Sequence, residues 1–371
     1  MNFFKTTAVS AAIVLMGSTA NADCGIASGN VNILGNEFGA IQALVAGAKE
    51  CASASVTVES NLTTEHRDIQ VAALTANPAQ YTSAIVANSS IVPLLNEGLI
   101  RPLDDLVAKY GAGIKDTQKI TIDGKIMAIA FMANAQHLYV RQDILDAAGL
   151  DVPTSYDEVI AAGQAIKDAG LMEHPFAMNS MTGWNLGEEF VNMYTGTGAS
   201  FFKPGTAEPA INNESGILAL NTLKALADLS NPDFLTFDSN ATGAIWEAGD
   251  VAIAQLWGSR ASGILDDEGS TPDVTSNTVL TAAPTVGGGD TPASTLWWDG
   301  FTIAANISDE DAEATFIAMV NGIRPDVITA NNDAAVWLAD GFTPGPAATG
   351  VFATASAGAR PYPMIPFMGL M

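Results

Sequence analysis

TIDGKIMAIAFMANAQHLYVRQDILDAAGLDVPTSYDE, residues 121–158, carries three structural instructions in a fixed order. Asp123-Gly124 is a two-residue turn signal between apolar segments, the kind of dipeptide that closes a tight hairpin. Residues 126–132 are short and apolar, which fits a buried strand or, by pattern alone, a buried piece of helix. Residues 143–148 have helix-forming composition and stop at Gly149, whose tolerance of positive φ suits a left-handed C-cap. Pro153 and the Ser155-x-x-Glu158 capping box then begin a second helix. One strand therefore feeds two capped helices.

Upstream, Val31-Asn32-Ile33-Leu34 reads as a strand, and residues 38–51 read as a helix with Ile41, Leu44, Val45 and Ala48 at helical spacing. Strands over 55–59 and 82–87 alternate with helices over 65–74 and 91–96. Alternation of this kind predicts a parallel sheet covered by helices, with ligand sites at the carboxyl ends of the strands. Those ends are Asn36 and Glu37, Ser60 and Asn61, and Asn88, Ser89 and Ser90, although turns favour such residues in any case. Downstream, helices start at Asn213 or Ser215 and at Ser239 or Asn240. A strand over 251–256 runs into Trp257-Gly258-Ser259-Arg260. Residues 308–320 form a helix with Ser308 as N-cap and Asp309, Glu310 and Asp311 against the positive end of its dipole.

The 371 residues carry a net charge of −25, and losing Lys5, the one ionised side chain of residues 1–22, takes it to −26. Nucleic acid and anionic membrane surfaces are poor partners for such a chain. Residues 1–22 have the pattern of a secretory signal: Lys5, an apolar run too short to span a bilayer, and the small-x-small cleavage site Ala20-Asn21-Ala22. Cys24 lacks the Leu-small-small context of a lipoprotein, so a soluble, exported chain is expected. Cys24 and Cys51 are the two cysteines, and in an exported protein a pair reads as one disulfide rather than two separate thiols. The remaining length is too great for one ordinary core and predicts two domains, tandem or interleaved.

Catalytic signatures are sparse. His66, His137 and His174 lie far apart with no ligand partner at i+3 or i+4, so no metal is expected, nor any other cofactor. The run Gly287-Gly288-Gly289-Asp290 lacks the Lys-Ser/Thr of a phosphate loop, and no nucleophile elbow or dinucleotide fingerprint occurs. The 40 acidic residues leave paired carboxylates, hence a glycoside hydrolase, as the enzyme rival.

The order Asp123-Gly124-Lys125, an apolar run, Tyr139 before Val140-Arg141, Ala148-Gly149-Leu150, Pro153 and Tyr156-Asp157-Glu158 resembles the family 1 extracellular solute-binding proteins, the ligand-capturing subunits of ABC importers. Tyr156 stands where that family usually has Trp. Residues 98–105 resemble another recurring segment of the family, and residues 249–257 resemble its G-x-x-A-M…G-P-W, with Trp257 on the Trp and Leu256 in place of the Pro. The resemblance is good over residues 31–320 and weak beyond.

It implies an α/β, type II, two-lobed periplasmic binding protein fold, each lobe a doubly wound, mostly parallel sheet flanked by helices. Lobe one would comprise residues 23–131 and 285–322, and lobe two 132–284 and 323–371, the latter including Trp337. The hinge would lie over residues 131–137, with a second crossing near Pro284 and a third near Gly322. The function implied is capture of a small neutral sugar or polyol by a monomeric, periplasmic protein that delivers it to a permease and does no chemistry. Alternatives are an anionic or sulfonated sugar gripped by Arg260 or Arg67, or a polyamine.

Sugar recognition needs flat apolar rings against C–H faces and planar polar side chains at the hydroxyls. Trp184, Trp257 and the pair Trp297-Trp298 are the candidate rings. Each is either a platform or ordinary core, and strand alternation allows only one of Trp297 and Trp298 to face the cleft. Trp246 reads as core. The polar candidates are Asn36, Glu37, Asn88, Ser89, Gln136, His137, Arg260 and Asp299.

Overall fold

The computed structural model describes residues 24–265, 269–324 and 360–361. The expected signal over 1–22 and Trp337 lie outside them.

The chain begins with three βα units: β1 (Gly29–Gly35), α1 (Gly39–Lys49), β2 (Val56–Leu62), α2 (His66–Thr75), β3 (Ser83–Ala87) and α3 (Ile91–Asn96). After α4 (Asp104–Tyr110), β4 (Lys119–Ile122) turns back into β5 (Lys125–Asn134). The turn is Asp123-Gly124 with φ of 51° and 74°, positive at both positions, as a tight right-twisted hairpin requires. The apolar run is thus a strand, and it continues past Phe131 to Asn134.

Only Ala135 separates β5 from β6 (Gln136–Arg141), which belongs to a different sheet. Then come α5 (Gln142–Ala148), α6 (Tyr156–Asp168), β7 (Phe176–Met178), α7 (Trp184–Gly196), α8 (Glu214–Ala227), α9 (Ser239–Glu247), β8 (Ile253–Trp257), α10 (Ala261–Leu265), α11 (Pro272–Asn277) and β9 (Thr278–Ala282). Gly149 caps α5 at φ 68°, and Ser155 and Glu158 form both halves of the capping box on α6. Asn213 caps α8. For α9 the cap is Asp238, ahead of the expected Ser239 or Asn240, because its Oδ1 accepts from the backbone N–H of both Asn240 and Ala241.

The chain returns to the first sheet through β10 (Thr295–Phe301), then forms α12 (Asp309–Gly322), capped by Ser308, while β11 (Arg360–Pro361) pairs with β10. Helix α12 packs on α1 and β1 so closely that a Cβ on Gly322 would lie 2.4 Å from the Leu44 carbonyl oxygen.

The first sheet runs β2-β1-β3-β10-β5-β4 and the second β7-β8-β6-β9. They are more mixed than the mostly parallel sheets expected: β1 pairs parallel with β2 and β3, but β10 is antiparallel to both β3 and β5, and β6 is antiparallel to both β8 and β9. The cause is the interleaving. A strand that re-enters a lobe through a short connector starts at the cleft end, where β1 and β3 stop, so it must run against them.

One lobe is built on β7, β8, β6 and β9, with Leu138, Val140, Tyr156, Phe176 and Tyr194 at its centre. Trp246 is fully buried, edge-on to Tyr139 at 5.8 Å, and its Nε1 donates to Thr278 Oγ1. Among the described residues no helix is long and apolar enough to cross a membrane.

Cys24 and Cys51 form a disulfide with Cα atoms 5.4 Å apart, closing a loop of 27 residues' separation between the start of the described chain and the end of α1. On the chain-entropy account, replacing both by Ser lowers the unfolding free energy by about 3.5 kcal/mol. Urea denaturation of the double variant checks this, and an unchanged midpoint would contradict it.

Candidate functional site

The carboxyl ends of β1 and β8, the N-terminal ends of α2, α7 and α9, and the start of β10 converge between the two sheets. They enclose an outer cavity of about 300 Å³ and a smaller inner one of about 60 Å³, which share Asn36, Arg67, Trp184, Ser239 and Arg260. Residues from both lobes line each. Asn240 on α9 donates from Nδ2 to the Glu37 carbonyl oxygen at 3.4 Å, so the lobes touch across the mouth.

Three rings form the inner wall. Trp297 on β10 meets Trp184, the first residue of α7, at 5.2 Å and Trp257, the last residue of β8, at 5.6 Å. Trp257 and Trp297 are 5% and 4% exposed in this arrangement. Trp298, on the opposite face of the same strand, packs beside the cluster formed by Met127, Leu94 and Ile100, well away from the cleft. The Trp184 Nε1 is buried and meets no acceptor among the described residues.

Charge enters from both sides. The Arg67 guanidinium, from α2, sits 4.1 Å from the Trp184 ring centroid and 5.6 Å from that of Trp297, an attractive placement over the negative face of an indole. Arg260 reaches from the second lobe over Phe38 of the first at 4.7 Å. Asp299, buried in the same lining, has its pKa pushed up to about 7 by burial, against the pull of Arg67, a hydrogen bond with the Trp297 side chain, and Arg260. His66 is held neutral, its pKa lowered to about 4 by burial and by the adjacent Arg67 charge.

Behind the cleft, a buried polar network grips both chain crossings. Asn134 Oδ1 accepts from the N–H of Ala135 and of Ser259, while its Nδ2 donates to Ser259 Oγ at 2.9 Å. Two adjacent glutamates of α7 do the rest. Glu189 Oε1 accepts from Gln136 Nε2 at 2.8 Å and from Asn179 Nδ2 at 3.2 Å, and Glu188 Oε1 accepts from Thr295 Oγ1 at 2.9 Å. One carboxyl thus holds the first residue of β6 and the other the first residue of β10. Burial, and then the neighbouring Glu188 charge, push Glu189 up to about 8 despite the two amide donors, so at neutral pH it is mainly the protonated acid.

Of the residues proposed from sequence, the fold brings Asn36, Trp184, Trp257, Arg260, Trp297 and Asp299 around the two cavities. The others line neither. Gln136 and His137 are buried in the crossing, where Gln136 serves Glu189 and Gln255 and His137 Nδ1 meets the Ala135 carbonyl. Asn88 is buried and donates to the Leu296 carbonyl, Ser89 lies beside it at the end of β3, and Glu37 contributes its backbone oxygen rather than its exposed side chain. Phe38, Asn134, Ser239 and Asn240 also line the cavities without having been expected there; the last two sit on the first turn of α9, where the sequence marks a helix start but nothing that marks a ligand. Among the described residues no group of three His, Cys, Asp or Glu side chains could hold a metal.

The sequence profile of the bacterial extracellular solute-binding proteins matches residues 35–322. Among solved structures, the maltose-bound MalE3 of T. maritima superposes with a TM-score of 0.77 at 18% identity, covering 91% of this chain and 90% of that one. An ABC transporter solute-binding protein from Agrobacterium radiobacter in complex with ribitol gives 0.71 at 21%, covering 83% and 80%. The maltose/maltodextrin-binding domain MalE from Bdellovibrio bacteriovorus, bound to maltotriose, gives 0.70 at 16%, covering 91% and 89%. At these identities the likeness is one of fold: two lobes joined by interleaved crossings.

The raised pKa of Glu189 has a signed consequence. Its folded value of about 8 lies above the ordinary 4.5, so the stabilisation from holding its proton is complete below about pH 4.5 and is lost as the pH rises toward 8. Glu189→Gln, which keeps an oxygen acceptor for Gln136, should flatten that part of the profile and be relatively more stable than the parent at pH 8 than at pH 5. Urea midpoints across this range test it; parallel profiles for the two proteins would refute it.

Proposed function

The chain belongs to the bacterial extracellular solute-binding proteins, and on that footing we propose that it captures a small carbohydrate, a sugar or polyol, between its lobes and hands it to the permease of an ABC importer. It is a solute-binding protein and not an enzyme. Export by the signal over residues 1–22 and residence in the periplasm as a monomer complete the reading.

The observation that carries the ligand class is the chemistry of the inner cavity. Trp184, Trp257 and Trp297 offer flat apolar surface, and between them lie directional groups: Asn36, Asp299, Arg67, Arg260 and the buried indole N–H of Trp184. A pyranose or an extended polyol has the matching pattern, C–H surface beside hydroxyls. Proteins of the same fold were solved with maltose, ribitol and maltotriose. The crossings at Ala135 and over residues 283–294 act as the hinge in this reading, with the lobes parting to admit the ligand.

Thermal-shift measurements with a panel of hexoses, pentoses, disaccharides and polyols identify the ligand, because one present at about 100 times its dissociation constant stabilises by about 2.7 kcal/mol. Trp184→Ala should then weaken binding at least about tenfold, a loss of about 1.4 kcal/mol or more, and lower the ligand-free melting temperature little, since this ring is only partly buried. Unchanged affinity in the variant would remove the ring from the site.

A further inference from the structure

We propose that the captured solute is an acidic carbohydrate, a uronate or aldonate, whose carboxylate sits between Arg67 of one lobe and Arg260 of the other. This inference rests on the interlobe cleft being the carbohydrate site, and it replaces the neutral ligand expected from the sequence.

The inner cavity has two guanidinium groups and one carboxylate, Asp299. Burial draws Asp299 toward its neutral form, so the enclosed space is positive by one to two charges. Arg260 makes no salt bridge with a described residue, its Nε is buried without an acceptor, and burial pulls its pKa down against the charges of Asp238 and Asp299. Of the carboxylates of the outer cavity, Asp238 offsets this charge most, from beyond salt-bridge distance. Asp68 is exposed, and Asp238 is engaged by the N–H groups that start α9.

The backbone adds to this field. Helices α2 and α7 open onto the cavity through His66, Arg67 and Trp184, and neither has a side-chain hydrogen bond capping its first turn. The positive ends of their dipoles favour negative charge there. His66, facing the same space, stays neutral, so it neither adds to nor offsets the arginines.

The arginines also have a geometry suited to a carboxylate and not to a cation. Arg67 is held through the faces of Trp184 and Trp297, which directs its N–H fork along its own plane, where a carboxylate is taken in bidentate fashion. Because each lobe contributes one guanidinium, closing the empty cleft brings like charges together. A carboxylate between them converts that repulsion into attraction, so closure is favoured by the acidic ligand over its neutral parent. A polyamine would meet the same two positive groups and be repelled.

The test is calorimetric titration of the whole protein with D-glucuronate, D-galacturonate and D-gluconate beside D-glucose, D-galactose and D-glucitol. At least one acid should bind about tenfold or more tightly than its neutral counterpart, the worth of one charged hydrogen-bonded contact. Arg260→Gln and Arg67→Gln should each cost that acid about tenfold more than they cost its neutral counterpart. Equal or tighter binding of the neutral compounds overturns the inference and leaves the carbohydrate reading standing. A preference for acid that survives both substitutions overturns the arginine assignment. Failure of every acid and every neutral compound to bind overturns this inference together with the reading on which it rests.

Discussion

Asn134 is the residue on which the two-lobed arrangement turns. It ends β5, the last strand of the first lobe before the chain crosses, and its side-chain oxygen accepts from the N–H of Ala135 and of Ser259. The first of these bonds shapes the crossing and the second ties it to the turn after β8, the segment that carries Trp257 and Arg260. Its amide also donates to Ser259 Oγ, so two of the three hydrogen bonds of one buried side chain fix the second lobe's cleft edge against the first lobe's last strand. A hinge must concentrate motion in few bonds while keeping its flanks rigid, and short polar contacts inside a low-dielectric interior do this better than apolar packing, which tolerates sliding.

The rest of the site follows from where the crossings put the strands. β10 must enter its sheet from the cleft end, so its first residues lie at the lobe boundary, with Thr295 held by Glu188 and Asn192 and Trp297 two residues on, facing the rings of the other lobe. The aromatic wall is therefore built from both lobes. The same is true of charge: Arg67 from one lobe and Arg260 from the other both act on Asp299. Rings that would be solvated in an open molecule are covered here by one another, which leaves apolar surface for a ligand to take over.

Much of this was legible in the sequence where the determining physics is local. Asp123-Gly124, Gly149, the Ser155–Glu158 box and Ser308 each did in the fold what their chemistry implied, because a tight turn or a helix cap depends on four or five consecutive residues. The alternation argument separated Trp297 from Trp298, but which one faces the cleft depended on pairing with Asn134 and Ala133, contacts far along the chain. Gln136 and His137 misled for the same reason. A polar residue beside a crossing looks alike whether it awaits ligand or a partner such as Glu189, and that partner sits on a helix 53 positions away. Adjacent glutamates in a helix ordinarily mean a solvated face, and only the tertiary structure shows Glu188 and Glu189 fully enclosed. The mixed sheets were likewise hidden, since strand direction is decided by the interleaved path and not by strand composition.

The central claim is that this cleft closes around its solute, and solution scattering measures closure directly. With the carbohydrate that gives the largest thermal shift present at saturation, the radius of gyration should fall relative to the ligand-free protein, as the lobes move from a parted arrangement to the one described here. An identical radius of gyration with and without saturating ligand would contradict the account.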